Sequence, residues 1–345
     1  MAFSLNVDAT RWRAHADSVH QDVPSLVPVA KGNGYGFGLV TLAAEAQRLA
    51  CETIAVGQLD EVPAVHETFL GDVLVLTPWH PAIDPDLPTD ERLIVTAGHR
   101  ETLHAFARTR TRVVVELLTS MRRFGLDEDE LSQSLGEINA LNLAGFALHL
   151  PLDAGGVSRV DEASSWITTL RRLHLSTHSI WVSHISDPDL ALLRRRHPET
   201  TFRPRIGTRL WLGAPDSYQA VGTVLAAHAT RKGQRYGYRQ RRAPGDGHLL
   251  IVSGGTSHGV ALTAPRSVGS LTARAKTAAI GGLEASGRSL SPFYIGEKRR
   301  WFAEPPHMQV SMIWLPGDVR PPHVGDEIDV DVRMTTASFD RLVLR

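Results

Sequence analysis

The sequence predicts an α/β chain: a (β/α)8 TIM barrel followed by a β-rich C-terminal domain. Three observations carry this. Eight short apolar segments recur between residues 25 and 205, with helix-like stretches between most of them, and alternating strands and helices build parallel sheets. After about residue 215 helical periodicity fades, and alternating or apolar segments follow one another with Gly and Pro between them. At 345 residues the chain exceeds a usual single domain.

The barrel elements read as follows. The strand segments are 25–30 (SLVPVA), 53–56 (TIAV), 73–76 (VLVL), 93–95 (LIV), 113–117 (VVVEL), 143–148 (LAGFAL), 179–183 (SIWVS) and 201–205 (TFRPR). Helix-like stretches include 40–49 and 162–173. Eight such units fit a barrel, although its helices are short for that fold, and a doubly wound open sheet is the alternative. Strand segments of the second domain are 248–253, 310–315 and 327–333. Residues 3–7 also alternate and are a candidate extra strand for it. The expected boundary places the barrel at 1–215 and the β domain at 216–345.

Composition excludes several function classes. The chain carries 37 basic and 37 acidic side chains, for a formal net charge of zero. That gives no electrostatic footprint for nucleic acid or an anionic membrane. Cys51 is the single cysteine, so an intrachain disulfide and a multi-cysteine zinc site are excluded. No apolar run reaches the roughly 18 residues of a membrane span, and the first residues lack the apolar core of a signal peptide. The chain reads as soluble and cytoplasmic.

Four of the basic residues are lysines: Lys31, Lys232, Lys276 and Lys298. A lysine inside a motif is therefore easy to single out. Lys31 ends the first barrel strand and opens Lys31-Gly-Asn-Gly-Tyr35-Gly-Phe-Gly38. Barrel active sites lie at the C-terminal ends of the strands. Glycines let the backbone approach a ligand, and a partly desolvated lysine there can be tuned into a Schiff-base former. A loose glycine-rich loop is the other reading.

Residues 29–38, VAKGNGYGFG, resemble the pyridoxal-phosphate (PLP) lysine motif of the alanine racemase family, fold type III. The resemblance implies that Lys31 carries the cofactor and that Tyr35 contacts its phosphate. Further segments follow in the expected order, so that the likeness spans residues 5–215. Ser120-Met-Arg-Arg123-Phe-Gly125 is similar to the segment whose arginine, here Arg123, lies near the cofactor O3′ and the substrate carboxylate. Gly145-Phe-Ala-Leu-His149 resembles the strand whose histidine packs on the pyridine ring. Ser183-His-Ile-Ser186 resembles the segment with a phosphate-binding serine, Ser186. Arg205-Ile-Gly207-Thr208 resembles the segment whose arginine bonds the pyridine nitrogen and whose backbone amides hold the phosphate. A guanidinium beside that nitrogen disfavours its protonation by like-charge repulsion. Arg205 thus favours a racemase-type site over a decarboxylase-type one, where an acid protonates the ring.

Three departures shape the expected function. Where family members often carry a carbamylated lysine, this chain has Glu116, an anion without the modification, expected to orient Arg123. Where the family's second domain places its second catalytic base, a tyrosine from the partner subunit, this chain has Thr256. A threonine hydroxyl is far too weak an acid to serve near neutral pH. His258 is the candidate replacement, with His149 as a second. Third, the segment at residues 305–312 keeps Met308, a candidate substrate contact, but has Gln309 where the family has aspartate. Loss of the phenol also widens the entry. The resemblance therefore implies a PLP-dependent amino-acid racemase or epimerase, a homodimer with shared sites, acting on an amino acid other than or larger than alanine. A PLP-dependent decarboxylase on the same scaffold and a non-catalytic PLP-binding relative are the alternatives.

Overall fold

The computed structural model describes residues 2–152, 156, 158–262 and 289–345. Lys276, one of the four lysines, lies outside the described residues. The chain resolves into two compact units. One comprises Arg13–Gly34 and Gly38–Gly213; the other comprises Met1–Trp12, Tyr35–Phe37 and Ala214–Arg345.

Strand β1, Phe3–Val7, belongs to the second unit, and helix α1, Ala9–Asp22, follows it. The barrel then runs β2 (Val27–Pro28), α2 (Leu39–Arg48), β3 (Thr53–Val56), α3 (Val62–His66), β4 (Asp72–Val75), β5 (Leu93–Ala97) and α4 (Arg100–Phe106). It continues through β6 (Arg112–Leu117), α5 (Glu128–Gln133), α6 (Leu135–Asn139), β7 (Asn142–His149), α7 (Arg159–Arg172), β8 (Ser179–Ser183), α8 (Asp187–Arg196), β9 (Thr201–Ile206) and α9 (Thr208–Leu212). The strands form one parallel sheet in the order β2-β9-β8-β7-β6-β5-β4-β3. A parallel bridge between Val29 and Ala55 joins its ends. The open-sheet alternative is thereby set aside.

Local chemistry starts several helices. Ser158 caps α7 and Ser186 caps α8, each accepting an N–H from the first turn. Asp127 and Glu130 form a reciprocal capping box at α5. Such caps satisfy donors that have no intrahelical partner.

Successive strand residues face opposite sides of a sheet, so inward positions recur every second residue. The packed barrel interior contains Val27, Val29, Ala55, Leu74, Ile94, Val114, Ala147 and Trp181. Stepping two residues along from Val29, Ala55, Val114, Ala147 and Trp181 reaches Lys31, Gly57, Glu116, His149 and Ser183. His149, Ser183 and Arg205 are aligned partners on β7, β8 and β9. One pleat period thus puts Lys31, Glu116, His149 and Arg205 on the inner layer at the C-terminal end of the barrel.

The second unit is an antiparallel β domain. Its strands are β10 (Tyr218–Thr230), β11 (Arg235–Tyr236), β12 (Arg241–Arg242), β13 (Gly247–Ser253), β14 (Leu290–Ile295), β15 (Lys298–Phe302), β16 (Val310–Pro316), β17 (Glu327–Val330) and β18 (Arg341–Leu344). β1 pairs antiparallel with β10 and parallel with β18. β10 and β13 bury Val224, Leu250 and Val252.

Candidate active site

Lys31 follows β2 and begins a tight turn in which Gly34 N–H bonds the Lys31 carbonyl at 3.1 Å. Gly32 and Gly34 both have φ of +60°, which favours glycine. Two neighbours fix this turn. Glu61 accepts the Gly32 N–H at 2.8 Å and the Gly57 N–H at 2.6 Å. A side chain at Gly57 would stand 3.2 Å from the Lys31 Cβ, so glycine permits the close approach of β3. Lys31 as a whole residue is exposed. Its pKa is lowered by partial desolvation, then by Arg123 and Arg205, with Glu61 opposing them.

Arg205 is buried and donates from Nη2 to the Leu148 carbonyl at 3.1 Å; its Nε has no partner among the described residues. Desolvation depresses its pKa, Glu116 supports its charge, and Arg123 opposes it. A guanidinium stays protonated even so. Glu116 is 1% exposed, and neither carboxylate oxygen has a hydrogen-bond partner among the described residues. Burial raises its pKa, against the pull of Arg205 and Arg123.

The loop after β6 returns over its own strand. Leu126 N–H bonds the Glu116 carbonyl at 2.9 Å, and Leu118 N–H bonds Leu126 at 2.9 Å. A Cβ on Gly125 would meet the Leu117 carbonyl carbon at 2.5 Å, so only glycine fits this return. The loop is pinned outside as well. Thr119 donates to the His149 carbonyl at 2.6 Å, and the Ser120 hydroxyl bonds Glu162 at 2.9 Å. This brings Arg123, exposed and stacked over Phe124 at 5.2 Å, into the field of Glu116. Among the described residues, Arg123 and Glu116 act on each other through charge and share no hydrogen bond.

His149 packs edge-on against His184, ring centroids 4.8 Å apart. Burial, Arg205, Arg123, His184 and Lys31 together push the His149 pKa down to about 2. These effects favour the neutral ring. His184 has φ of +58° and bonds the Leu150 carbonyl through Nδ1 at 2.8 Å.

Trp211 carries the turn after β9 to the lysine strand. Its indole N–H donates to the Val29 carbonyl at 2.9 Å in a buried bond. The Gly207–Thr208 step thereby lies next to the end of β2, as does the Val29 N–H bond to Ile206 at 2.9 Å. Ser186 is exposed, and its oxygen accepts the Asp189 N–H at 3.3 Å as a cap. The hydroxyl hydrogen is left available to an incoming acceptor.

Four sequence-selected residues belong to the other unit or its linker. Tyr35 is buried with φ of +53°. Thr256 lies in the short turn after β13. Met308 is 73% exposed. His258 is buried, and both of its ring nitrogens are engaged: Nδ1 with the Gly255 N–H at 3.2 Å and Nε2 with Asp340 at 3.1 Å. Its ring also packs 5.3 Å from that of Phe3. Burial works against ionisation of Asp340, but the Phe3 amide and the His258 ring hold its carboxyl below the usual value.

Sequence reasoning passed over three features. Glu61 lies 29 residues from Gly32, so no local motif connects them. His184 stands inside a quoted segment and is betrayed only by its place at a strand end. Glu304 and His307, bonded at 2.7 Å, are visible as a carboxylate and histidine three residues apart.

Residues 7–173 match the family model for the alanine racemase N-terminal domain. No curated protein matches the chain in sequence. The fold is similar to that of alanine racemase from Bartonella henselae, solved with covalently bound pyridoxal phosphate: 16% identity over 96% of this chain and 90% of that one, TM-score 0.72. It is similar also to histidine racemase from Leuconostoc mesenteroides subsp. sake, 15% identical over 100% of this chain and 98% of that one, TM-score 0.69. Biosynthetic alanine racemase from Pseudomonas aeruginosa is 18% identical over 96% of this chain and 91% of that one, TM-score 0.65.

Proposed function

We propose that this chain, whose residues 7–173 match the alanine racemase N-terminal domain and whose fold is similar to that of alanine and histidine racemases, is a PLP-dependent amino-acid racemase or epimerase. The observation that carries this reading is the inner layer of Lys31, Glu116, His149 and Arg205, in which burial and two arginines lower the proton affinity of the lysine.

The residues present fit the cofactor. Lys31, Arg123 and Arg205 face two carboxylates, Glu61 and Glu116, which leaves a positive surplus for a phosphate-bearing ring. Buried Arg205 keeps an Nε with no partner among the described residues, and a buried polar atom without a partner is costly unless a ligand completes it. In this reading Lys31 holds the cofactor covalently, and Arg205 meets the pyridine nitrogen. Neutral His149 packs on the ring. Tyr35, Ser186 and the Gly207–Thr208 amides take the phosphate. When bound, PLP supplies an electron sink that makes the Cα proton of an amino acid acidic.

The chain's own groups do the rest. Lys31 Nζ, its proton affinity lowered, takes or returns the Cα proton on one face. Arg123 receives the substrate carboxylate. Glu116 balances Arg205, so that this buried cation is not left uncompensated, and its charge also reaches exposed Arg123. Arg205 withholds a proton from the pyridine nitrogen by like-charge repulsion. Met308 is assigned to the substrate-facing surface of the second domain. His258, held by Asp340 and Gly255, is assigned to bracing the turn that carries Thr256. Threonine in place of a phenol leaves room for a substrate larger than alanine. The same reading implies a homodimer, which sedimentation checks.

Proton NMR in D2O of the PLP-loaded protein with a panel of amino acids, followed by chiral analysis, tests it. Loss of the α-proton signal with appearance of the opposite enantiomer is expected. Release of an amine identifies a decarboxylase, and no exchange across a broad panel overturns the reading.

A further inference from the structure

His184 lies directly after β8 and turns back over the barrel mouth. Ser183, the last residue of that strand, is aligned with His149 on β7 and with Arg205 on β9. A residue that follows such an inward position ordinarily faces the other side of the sheet, toward the outer helices. His184 instead has a φ of +58°, a left-handed conformation uncommon for residues other than glycine. The chain reverses there. The His184 ring comes back over the inner layer, edge-on to His149, with centroids 4.8 Å apart and planes at 82°.

Two contacts hold that ring. Its Nδ1 lies 2.8 Å from the Leu150 carbonyl. A carbonyl only accepts, so Nδ1 carries the hydrogen and Nε2 carries a lone pair. Leu150 is buried and directly follows His149. The bond therefore ties the end of β8 to the end of β7 at the point where His149 projects. The second contact is His149 itself. Among the described residues the His149 ring has no hydrogen bond to either nitrogen, and His184 is the ring that packs on it. Packing alone sets the His149 orientation, and an edge-to-face pair has a preferred geometry because ring faces are negative and ring edges positive. Burial lowers the His184 pKa, the Leu150 carbonyl opposes this, and Arg205, Lys31 and Arg123 add to the lowering. The His149 pKa is lowered too, which favours two uncharged rings in contact.

We propose that His184 is a positioning residue for His149. Its bond to Leu150 and its ring hold the His149 imidazole in one orientation at the C-terminal end of the barrel, as a fixed flat surface for the cofactor ring. The contact lies wholly within the barrel unit. Its consequence for the cofactor deepens the racemase reading and rests on it.

Two substitutions separate the ring from the turn. His184→Asn removes the ring but keeps an amide donor for Leu150 and a residue type that tolerates positive φ. His184→Gly keeps the turn and removes both donor and ring. In the unloaded wild type, 15N NMR is expected to show His184 protonated on Nδ1 and bare on Nε2, and proton NMR to show His149 in one orientation. Removing any neighbouring ring shifts those His149 signals, so the discriminating result is a second set of signals, or exchange broadening, in both variants. PLP affinity of both variants is expected to fall about 3- to 10-fold, since a fraction of molecules then presents the competent surface. A single sharp His149 orientation in both variants, with PLP affinity at the wild-type value, shows a turn residue only and overturns the proposal. The opposite His184 tautomer overturns it as well. A wild type that binds no PLP overturns the racemase reading; the two failures are distinguishable because the His149 orientation is read on unloaded protein.

Discussion

Glu61 holds the backbone N–H of Gly32, the residue after Lys31, at 2.8 Å, and its second oxygen takes the N–H of Gly57. One carboxylate thus ties the ends of β2 and β3 together beside the lysine. Burial, Arg123 and Arg205 lower the Lys31 pKa, and Glu61 is the charge that opposes them. Glu61→Ala is expected to move the midpoint of Lys31 acylation, followed by mass spectrometry against pH, further down. Loss of the two acceptors is expected to cost about 1–3 kcal/mol of stability. A midpoint that moves up contradicts this account of the turn.

Glu116 tests whether the inner layer is strained for ligand binding. Burial raises its pKa. A carboxyl whose folded pKa exceeds its unfolded one contributes most to stability at acidic pH, and that contribution is lost as pH rises. Glutamine has no such dependence. Glu116→Gln, unloaded, is therefore expected to gain in thermal stability relative to wild type between about pH 4 and about pH 7. Its PLP affinity is expected to fall, because Arg205 and Arg123 lose their counter-charge. A relative loss of stability over that interval, or unchanged PLP affinity, contradicts the prediction.

His149, with its pKa pushed down to about 2, is expected to show no ring titration by proton NMR across the usual working range. The folded value lies below the unfolded one of about 6.5. Its contribution to stability is thus complete above that pH and declines as pH falls below it. Titration near the ordinary histidine value contradicts the packing described around it.

Trp211 ties the β9–α9 turn to β2 through its indole N–H. Trp211→Phe leaves the Val29 carbonyl without that donor and is expected to cost about 1–3 kcal/mol. Calorimetry reads this as a lower Tm. A PLP titration is expected to show weaker binding, since Gly207 and Thr208 lose their anchor. An unchanged Tm contradicts the role given to the indole.

Much of the barrel was legible because buried parallel strands are short apolar runs between helices. β3 and β8 coincide with their predicted segments. β2 is the informative exception. Residues 25–30 read as a strand, yet only Val27–Pro28 form a ladder, with Val29 bridging to Ala55. Pro28, although in register with Ile206, has no N–H to donate, which keeps the ladder short. Lys31 stood out as a lysine at a strand end before four glycines, while Glu116, His149 and Arg205 were singled out by the resemblance to family segments; the structure then sets all four one pleat period beyond inward-facing strand positions. Glu61 could not, since its partners are set by tertiary closure of β2 against β3. His258 stood out in sequence as a histidine in a glycine-rich turn, but its bond to Asp340 depends on a C-terminal segment 82 residues away.

The central claim is that Lys31 is the cofactor lysine. Borohydride reduction of the PLP-loaded protein, followed by peptide mass mapping, tests it most directly. The account predicts a single phosphopyridoxyl group on the peptide containing Lys31, absent from Lys31→Ala. Modification confined to Lys232, Lys276 or Lys298, or no stable adduct at all, contradicts it.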